Sequence, residues 1–193
     1  DHLYKDFSKL NFDNLLLPKN FILFVGSREK YKNFDLLLEA YRSKKNIMND
    51  FQIVCFGGGK FTKKEINNFN KFELIDKVKN YQGNDILLSY LYTKAQLFVF
   101  PSQYEGFGLP LVEAMSLNCP VLASENNTFR EIAKDSIHFF NNNSLEDLAF
   151  KIEFLLNSIN DLNSKKLKAF ELSRQYTWKK CAKKTLEIYK KLI

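Results

Sequence analysis

The chain has 193 residues, 45% hydrophobic, 15% aromatic and 26% charged, which is enough apolar material for one large domain whose core needs no disulfide or metal. This composition excludes a disordered chain, and no run of about 18 apolar residues is present to span a membrane. Lys and Arg outnumber Asp and Glu by 29 to 22, and the net charge of +7 suits a phosphorylated small molecule, an anionic membrane face or nucleic acid.

Residues 1–20 read as a lead-in, charged and polar from Asp1 to Leu10 with no apolar stretch of a secretory signal, and residues 21–193 as one domain. Phe21-Ile22-Leu23-Phe24-Val25 predicts a buried strand stopped by Gly26. Phe34, Leu37, Leu38 and Tyr41 share one face of a predicted helix. Residues 51–56 predict a second strand, ended by Gly57-Gly58-Gly59, then a polar helix over 62–72 and a short strand over 78–82. A helix over 85–95 and the strand Leu97-Phe98-Val99-Phe100, closed by Pro101, follow.

A glycine-containing loop then enters a helix with Pro110 at its first position, where a missing N–H costs nothing, and Asn118 suits the left-handed cap at its end. Val121-Leu122 predicts a strand, 128–133 a short helix and Ile137-His138-Phe139-Phe140 a last strand. From Ser144, which with Asp147 resembles a capping box, the pattern is helical, and Trp178 starts the final helix. Six short strands alternating with helices predict a doubly wound, mostly parallel, Rossmann-like α/β sheet with helices on both faces.

Cys55, Cys119 and Cys181 are scattered and form no C-x-x-C pair, which predicts a reducing compartment. His2 and His138 stand apart from each other and from the cysteines, and no Asp-x-Asp occurs, so no metal site is predicted. Lysines over 165–191, spaced by apolar residues at helical intervals, predict a solvated helix face, with acidic lipid headgroups as the alternative partner.

In an open parallel sheet, ligands sit beyond the carboxyl ends of the strands, so four loops qualify: 26–33, 57–61, 82–85 and 101–110. The last is the most informative. In Tyr104-Glu105-Gly106-Phe107-Gly108-Leu109-Pro110 two glycines let backbone N–H groups approach a ligand, and the loop runs into a helix N-terminus, which favours an anion. Glu105 and Glu113 flank that loop and would repel a phosphate, so sugar or ribose hydroxyls are their natural partners; a plain turn with a solvated first-turn acid is the alternative. Arg28 and Lys32, beyond Gly26-Ser27, can neutralise a diphosphate, Arg as a planar fork and Lys as a point charge, with Lys30 a competitor. Gly57-Gly58-Gly59-Lys60 lacks the spacing of a P-loop, and no G-x-G-x-x-G follows the first strand.

The run from Phe98 to Met115, with Glu105-Gly106-Phe107-Gly108 and a second glutamate eight residues on at Glu113, closely resembles the signature of the group 1 (family four, retaining) glycosyltransferases. The resemblance takes in Asn118-Cys119-Pro120, where the family usually has Gly first, Val25-Gly26-Ser27-Arg28 with Lys32-Asn33, Gln82-Gly83, Leu91-Tyr92 and Thr177-Trp178. It implies the C-terminal, donor-binding half of a GT-B enzyme, with the acceptor domain absent from this chain and this chain alone inactive. By the same resemblance Glu105 would hold a hydroxyl of the transferred sugar and Glu113 the ribose. Gly26 and Ser27 and the N–H groups of Gly106, Phe107, Gly108 and Leu109 would meet the sugar and diphosphate. Arg28 and Lys32 would sit on the diphosphate, although Arg28-x3-Lys32 is shorter than the common spacing, and the backbone at Tyr81, Gln82 and Gly83 would meet the base. The implied reaction transfers a sugar from a UDP- or GDP-linked donor with retention, without metal or cofactor, the departing phosphate taking the acceptor proton. Cell-surface polysaccharide or glycolipid synthesis at the cytoplasmic membrane face is the setting it implies. A sugar-nucleotide epimerase or a non-catalytic sugar-nucleotide module are the rival readings; nucleic acid is not an expected partner.

Overall fold

Four- and five-residue runs as apolar as Phe21–Val25 and Leu97–Phe100 leave neither face for water, so their sheet must be covered on both sides. In the computed structural model, which describes residues 15–191, six strands form one parallel sheet in the order β3-β2-β1-β4-β5-β6. These are β1 (Phe21–Val25), β2 (Gln52–Phe56), β3 (Val78–Tyr81), β4 (Leu97–Phe100), β5 (Val121–Ser124) and β6 (His138–Phe140). Ten helices surround them among the described residues: α1 (Phe34–Arg42), α2 (Lys45–Asp50), α3 (Lys63–Lys71), α4 (Asp85–Lys94), α5 (Leu109–Ser116), α6 (Asn127–Ala133), α7 (Leu145–Asn157), α8 (Ile159–Asn163), α9 (Lys166–Ser173) and α10 (Trp178–Lys190). Residues 1–14 of the expected lead-in, His2 among them, lie outside the described residues.

The strand alternation sorts the core into two layers. Phe21, Leu23, Val25, Phe98 and Phe100 face α4, α5, α6 and α9 through Leu91, Tyr92, Leu111, Met115, Phe129 and Ala169. Ile22, Phe24, Leu97 and Val99 face the other way, onto Phe34, Leu37 and Tyr41 of α1, Phe69 of α3 and Ile152 of α7. The edge strand β6 would offer bare carbonyls to another chain, but Lys151 Nζ donates to Phe139 O at 2.6 Å and Lys165 Nζ to Ile137 O at 2.9 Å, which blunts that edge.

Several local expectations need adjustment. Helix α2 was not foreseen, because its sequence Lys-Asn-Ile-Met-Asn-Asp buries only Ile47 and shows little periodicity. In α1, Ala40 rather than Leu38 joins Phe34, Leu37 and Tyr41 in full burial. Leu109, not Pro110, opens α5, with Gly108 as N-cap at φ 85°, and Asn118 takes the expected left-handed cap at φ 55°. Ser144 accepts from the Asp147 N–H, but the Asp147 carboxylate turns to the Asn141 N–H at 2.6 Å, so only half of the box forms. The complete box is at Thr62, where hydroxyl and backbone exchange bonds with Glu65.

Helix α10 carries Trp178, Leu186, Ile188 and Tyr189 as exposed apolar side chains, and none of its described residues is buried. Among the described residues no helix is long and apolar enough to cross a membrane.

Candidate functional site

The strand order reverses between β1 and β4: β1 continues outward to β2 and β3, and β4 to β5 and β6. The chain leaves these two neighbours toward opposite halves of the sheet, and such a switch point is the place where open α/β sheets bind ligands. It brings the first and last of the four candidate loops together, with the 57–61 and 82–85 loops beyond β2 and β3 alongside.

Polar and ring contacts join the two loops. Lys32 Nζ lies 2.6 Å from Glu105 Oε1, and each side chain is only 13% exposed. The Gln103 N–H donates to Tyr31 O at 2.8 Å, and the rings of Tyr31 and Tyr104 stack at 5.1 Å with 21° between planes. Glu105 is further fixed through its carbonyl, which accepts from the Thr128 hydroxyl at 3.0 Å.

After Glu105 the backbone turns through Gly106 and Phe107, both exposed, to Gly108. A Cβ on Gly108 would stand 2.8 Å from Phe129 Cε1, and its φ of 85° is left-handed, so this corner requires glycine twice over. No described residue accepts a hydrogen bond from the N–H groups of Gly106, Phe107, Gly108 or Leu109. Four donors in sequence thus lead into the positive end of α5, an arrangement suited to an anion.

Glu113 lies about one turn into α5 on the far side of this loop. Its Oε2 accepts from the Tyr92 hydroxyl at 3.1 Å, and that hydroxyl is also 3.3 Å from Pro110 O. Complete burial, aided by the nearby Glu113 carboxylate, pushes the Tyr92 phenol well above its ordinary range, so Tyr92 remains a donor that orients the glutamate.

In the structure Arg28 and Lys32 are both already paired with glutamates. The Arg28 guanidinium makes five hydrogen bonds: Nε to Glu65 Oε1 at 2.5 Å, Nη1 to Gly57 O at 3.1 Å, and Nη2 to the carbonyls of Gly58, Gly59 and Lys60 at 3.3, 3.2 and 3.1 Å. It also lies 4.9 Å from the centre of the Phe61 ring. Burial alone would raise the Glu65 carboxyl, but Arg28 and the Thr62 hydroxyl and N–H outweigh it and hold it below the usual glutamate value. Arg28 therefore clasps the 57–60 loop, and the capping pattern Thr62-x-x-Glu65 was the sequence signal for the acid that anchors it. Lys30 is exposed in a short 3-10 turn, Lys30–Lys32, while Gly26 and Ser27 are half-buried at the end of β1. At the end of β3 the Tyr81 hydroxyl donates to Leu16 O at 2.5 Å and its carbonyl accepts from the Gly57 N–H at 3.3 Å, while Gln82 and Gly83, like Asn84 and Asp85 after them, are exposed.

Other chemistry-bearing side chains stand apart. Cys55 and Cys119 are buried, and burial raises both thiols, Cys119 to about 12; Cys181 is exposed on α10. His138 is lowered by burial and then by Lys165, and borders a groove of about 410 Å³ along β6 that contains none of the expected site residues. Among the described residues no cluster of three or more His, Cys, Asp or Glu could hold a metal.

A six-stranded parallel sheet whose order reverses between β1 and β4, with helices on both faces, defines the class: a doubly wound α/β domain. The chain belongs to the group 1 glycosyl transferases, whose family model matches residues 6–170, and it corresponds to the C-terminal domain of these GT-B enzymes. It is 28% identical over 184 residues to O-antigen chain mannosyltransferase B of Escherichia coli, covering 90% of this chain and 46% of that protein. Among solved structures it resembles the C-terminal domain of a group 1 family protein from Francisella tularensis, with a TM-score of 0.71 at 22% identity over 84% of this chain and 88% of that one. It also resembles a mutant of S. aureus TarM in complex with fondaparinux, alpha-GlcNAc-glycerol and UDP, with a TM-score of 0.77 at 23% identity over 89% of this chain and 35% of that one. The two structures speak for the fold, and the chain spans about half the length of the mannosyltransferase.

Proposed function

We propose that this domain holds a UDP- or GDP-linked sugar at the switch point. Together with the part of the longer relatives that this chain does not span, it would transfer the sugar with retention of configuration, in cell-surface polysaccharide or glycolipid synthesis. The observation that carries the reading is the row of N–H groups from Gly106 to Leu109 that no described residue takes up, with Glu105 before it and Glu113 after it. The mannosyltransferase name of one relative and the UDP bound by TarM support a sugar nucleotide as the ligand class.

As the bond from the sugar to the diphosphate breaks, negative charge grows on the leaving group. Lys32 and the N–H groups ahead of α5 would stabilise it, so this reading asks for no added metal. Glu105 would accept from a hydroxyl of the sugar and hold it near attack geometry. Glu113 would take the ribose hydroxyls and exposed Gln82 and Gly83 the base, while Arg28 shapes the 57–60 loop from beneath. The direct test incubates the full-length protein with UDP- and GDP-linked hexoses and an acceptor and reads the anomeric configuration of the product by NMR; an inverted product would contradict the proposal.

The ribose assignment has its own test. Tyr92 keeps its contact with Pro110 O when the glutamate is gone, so Glu113→Ala should fold. By calorimetry it is expected to bind the ribonucleotide more weakly by about 1–3 kcal/mol and to lose discrimination against the 2′-deoxy form. Retained discrimination would remove Glu113 from the ribose. The exposed apolar side chains of α10, with its lysines, are the place for peripheral contact with an anionic cytoplasmic membrane face. Co-sedimentation of the full-length protein with vesicles containing phosphatidylglycerol checks this, and equal sedimentation with neutral vesicles would contradict it.

A further inference from the structure

Lys32 and Glu105 meet from loops 73 residues apart in the chain, and the loops touch directly through the Gln103 N–H to Tyr31 O bond and the Tyr31–Tyr104 stack. A third loop, between β6 and α7, reaches across to both. Asn143 Oδ1 accepts from Asn33 Nδ2 at 3.1 Å and from Gln103 Nε2 at 3.1 Å. Asn33 follows Lys32 directly, and Gln103 lies two residues before Glu105. Beside it Asn142 Nδ2 donates to Gln103 O at 3.3 Å. Asn143 itself is held left-handed at φ 63°, next to Ser144, the N-cap of α7, which sets the bridging side chain on the end of a thirteen-residue helix. A single side-chain oxygen therefore ties together the residues that flank each member of the ion pair.

The geometry points to Asn143 as a positioning residue of the donor site: its amide oxygen, added to the direct contacts between the two loops, fixes the separation of Lys32 and Glu105, and through it the alignment of diphosphate and sugar. This rests on the donor-site reading given above. Asn143 touches neither reacting group, and its bonds lie at the surface, so little of the fold's stability depends on them. Its effect is geometric, because Lys32 and Glu105 would act on opposite ends of the same breaking bond and tolerate little relative displacement.

The experiment uses the full-length protein, with UDP and GDP as binding probes and, as donor, the UDP- or GDP-linked hexose that the wild type turns over fastest. Asn143→Gly keeps the left-handed backbone and removes the acceptor, whereas Asn143→Asp keeps an acceptor and tolerates the same backbone. For Asn143→Gly, kcat is expected to fall about tenfold or more while Tm and the Kd for the nucleoside diphosphate stay close to wild type, and Asn143→Asp should recover most of the loss. Gln103→Ala, which breaks the bridge from the other side, should repeat the kcat defect. Wild-type turnover in Asn143→Gly overturns the proposal, as does a parallel loss of Tm, nucleotide affinity and kcat, or an Asp variant as impaired as the Gly variant. If the wild type itself binds neither nucleotide and transfers no sugar, the donor-site reading fails first and this proposal with it.

Discussion

Glu105→Gln is expected to bind a free nucleoside diphosphate more tightly than the wild type while losing nearly all sugar transfer. The two effects share one cause. Lys32 Nζ is 2.6 Å from the Glu105 carboxylate, with both side chains largely shielded from water, so without ligand the cation is already occupied. A diphosphate must draw Lys32 from that partner, and the strength of the resting pair is subtracted from its affinity. An amide in place of the carboxylate keeps an acceptor but removes the competing charge, and leaves Lys32 a partly buried cation that a phosphate oxygen satisfies better. The Kd for UDP or GDP should fall by about tenfold, equivalent to about 1.4 kcal/mol. Turnover should drop about 100-fold, because the group that fixes the sugar is then a weaker acceptor and no longer balances the moving lysine. Calorimetry with the nucleotide and steady-state assay with the donor read the two effects separately. Weaker nucleotide binding, or transfer at the wild-type rate, would break the link between them.

Gly108→Ala should be the most damaging single-methyl change in the site. Gly108 occupies the left-handed region at φ 85°, and the added Cβ would stand 2.8 Å from Phe129 Cε1, a ring packed 4.8 Å from that of Phe100 in the buried layer under the loop. Left-handed strain of about 1–2 kcal/mol and overpacking of about 1–3 kcal/mol combine at one residue. Relief requires the Phe107–Leu109 backbone to move, taking the open N–H groups with it. Gly106→Ala is the control, because nothing lies within 4 Å of its added Cβ and its φ is not left-handed. The expected result is a lowered Tm and lost nucleotide binding for Gly108→Ala, against a wild-type Tm with weakened binding for Gly106→Ala. Equal Tm values for the two would remove the claim that the corner is glycine-bound.

The strands were legible because a sheet buried on both faces writes itself as continuous apolar runs, and β1, β2 and β4 appear within one residue of where those runs lie. Alternation of strands and helices predicts the doubly wound, parallel class and candidate loops at the carboxyl ends, whereas the order of the strands, which decides which loops meet, is seen only in the structure. The polar wiring was not legible in this way. Arg28 reads in the sequence as a cation at the mouth of the sheet, yet the carbonyls of 57–60 and the Glu65 carboxylate take it inward, and Lys32 closes on Glu105 instead. Such pairings depend on which loops the sheet order brings together, and no local period records them. Asn143 escaped notice for the same reason: a lone polar residue ahead of a helix looks like a turn until Asn33 and Gln103 are seen on either side of it. Helix α2 was missed on different grounds, since a six-residue helix with one buried side chain leaves almost no pattern to read.

The central claim is that an activated sugar's diphosphate seats on the backbone ahead of α5, between Glu105 and Glu113. Backbone amide NMR of the protein titrated with UDP and with GDP tests it most directly. The account predicts that, for whichever nucleotide binds, the largest saturable shifts fall on Gly106, Phe107, Gly108 and Leu109, with Lys32 and Glu113 responding alongside. Shifts centred on the β6 groove near His138, with those four amides unmoved, would contradict it.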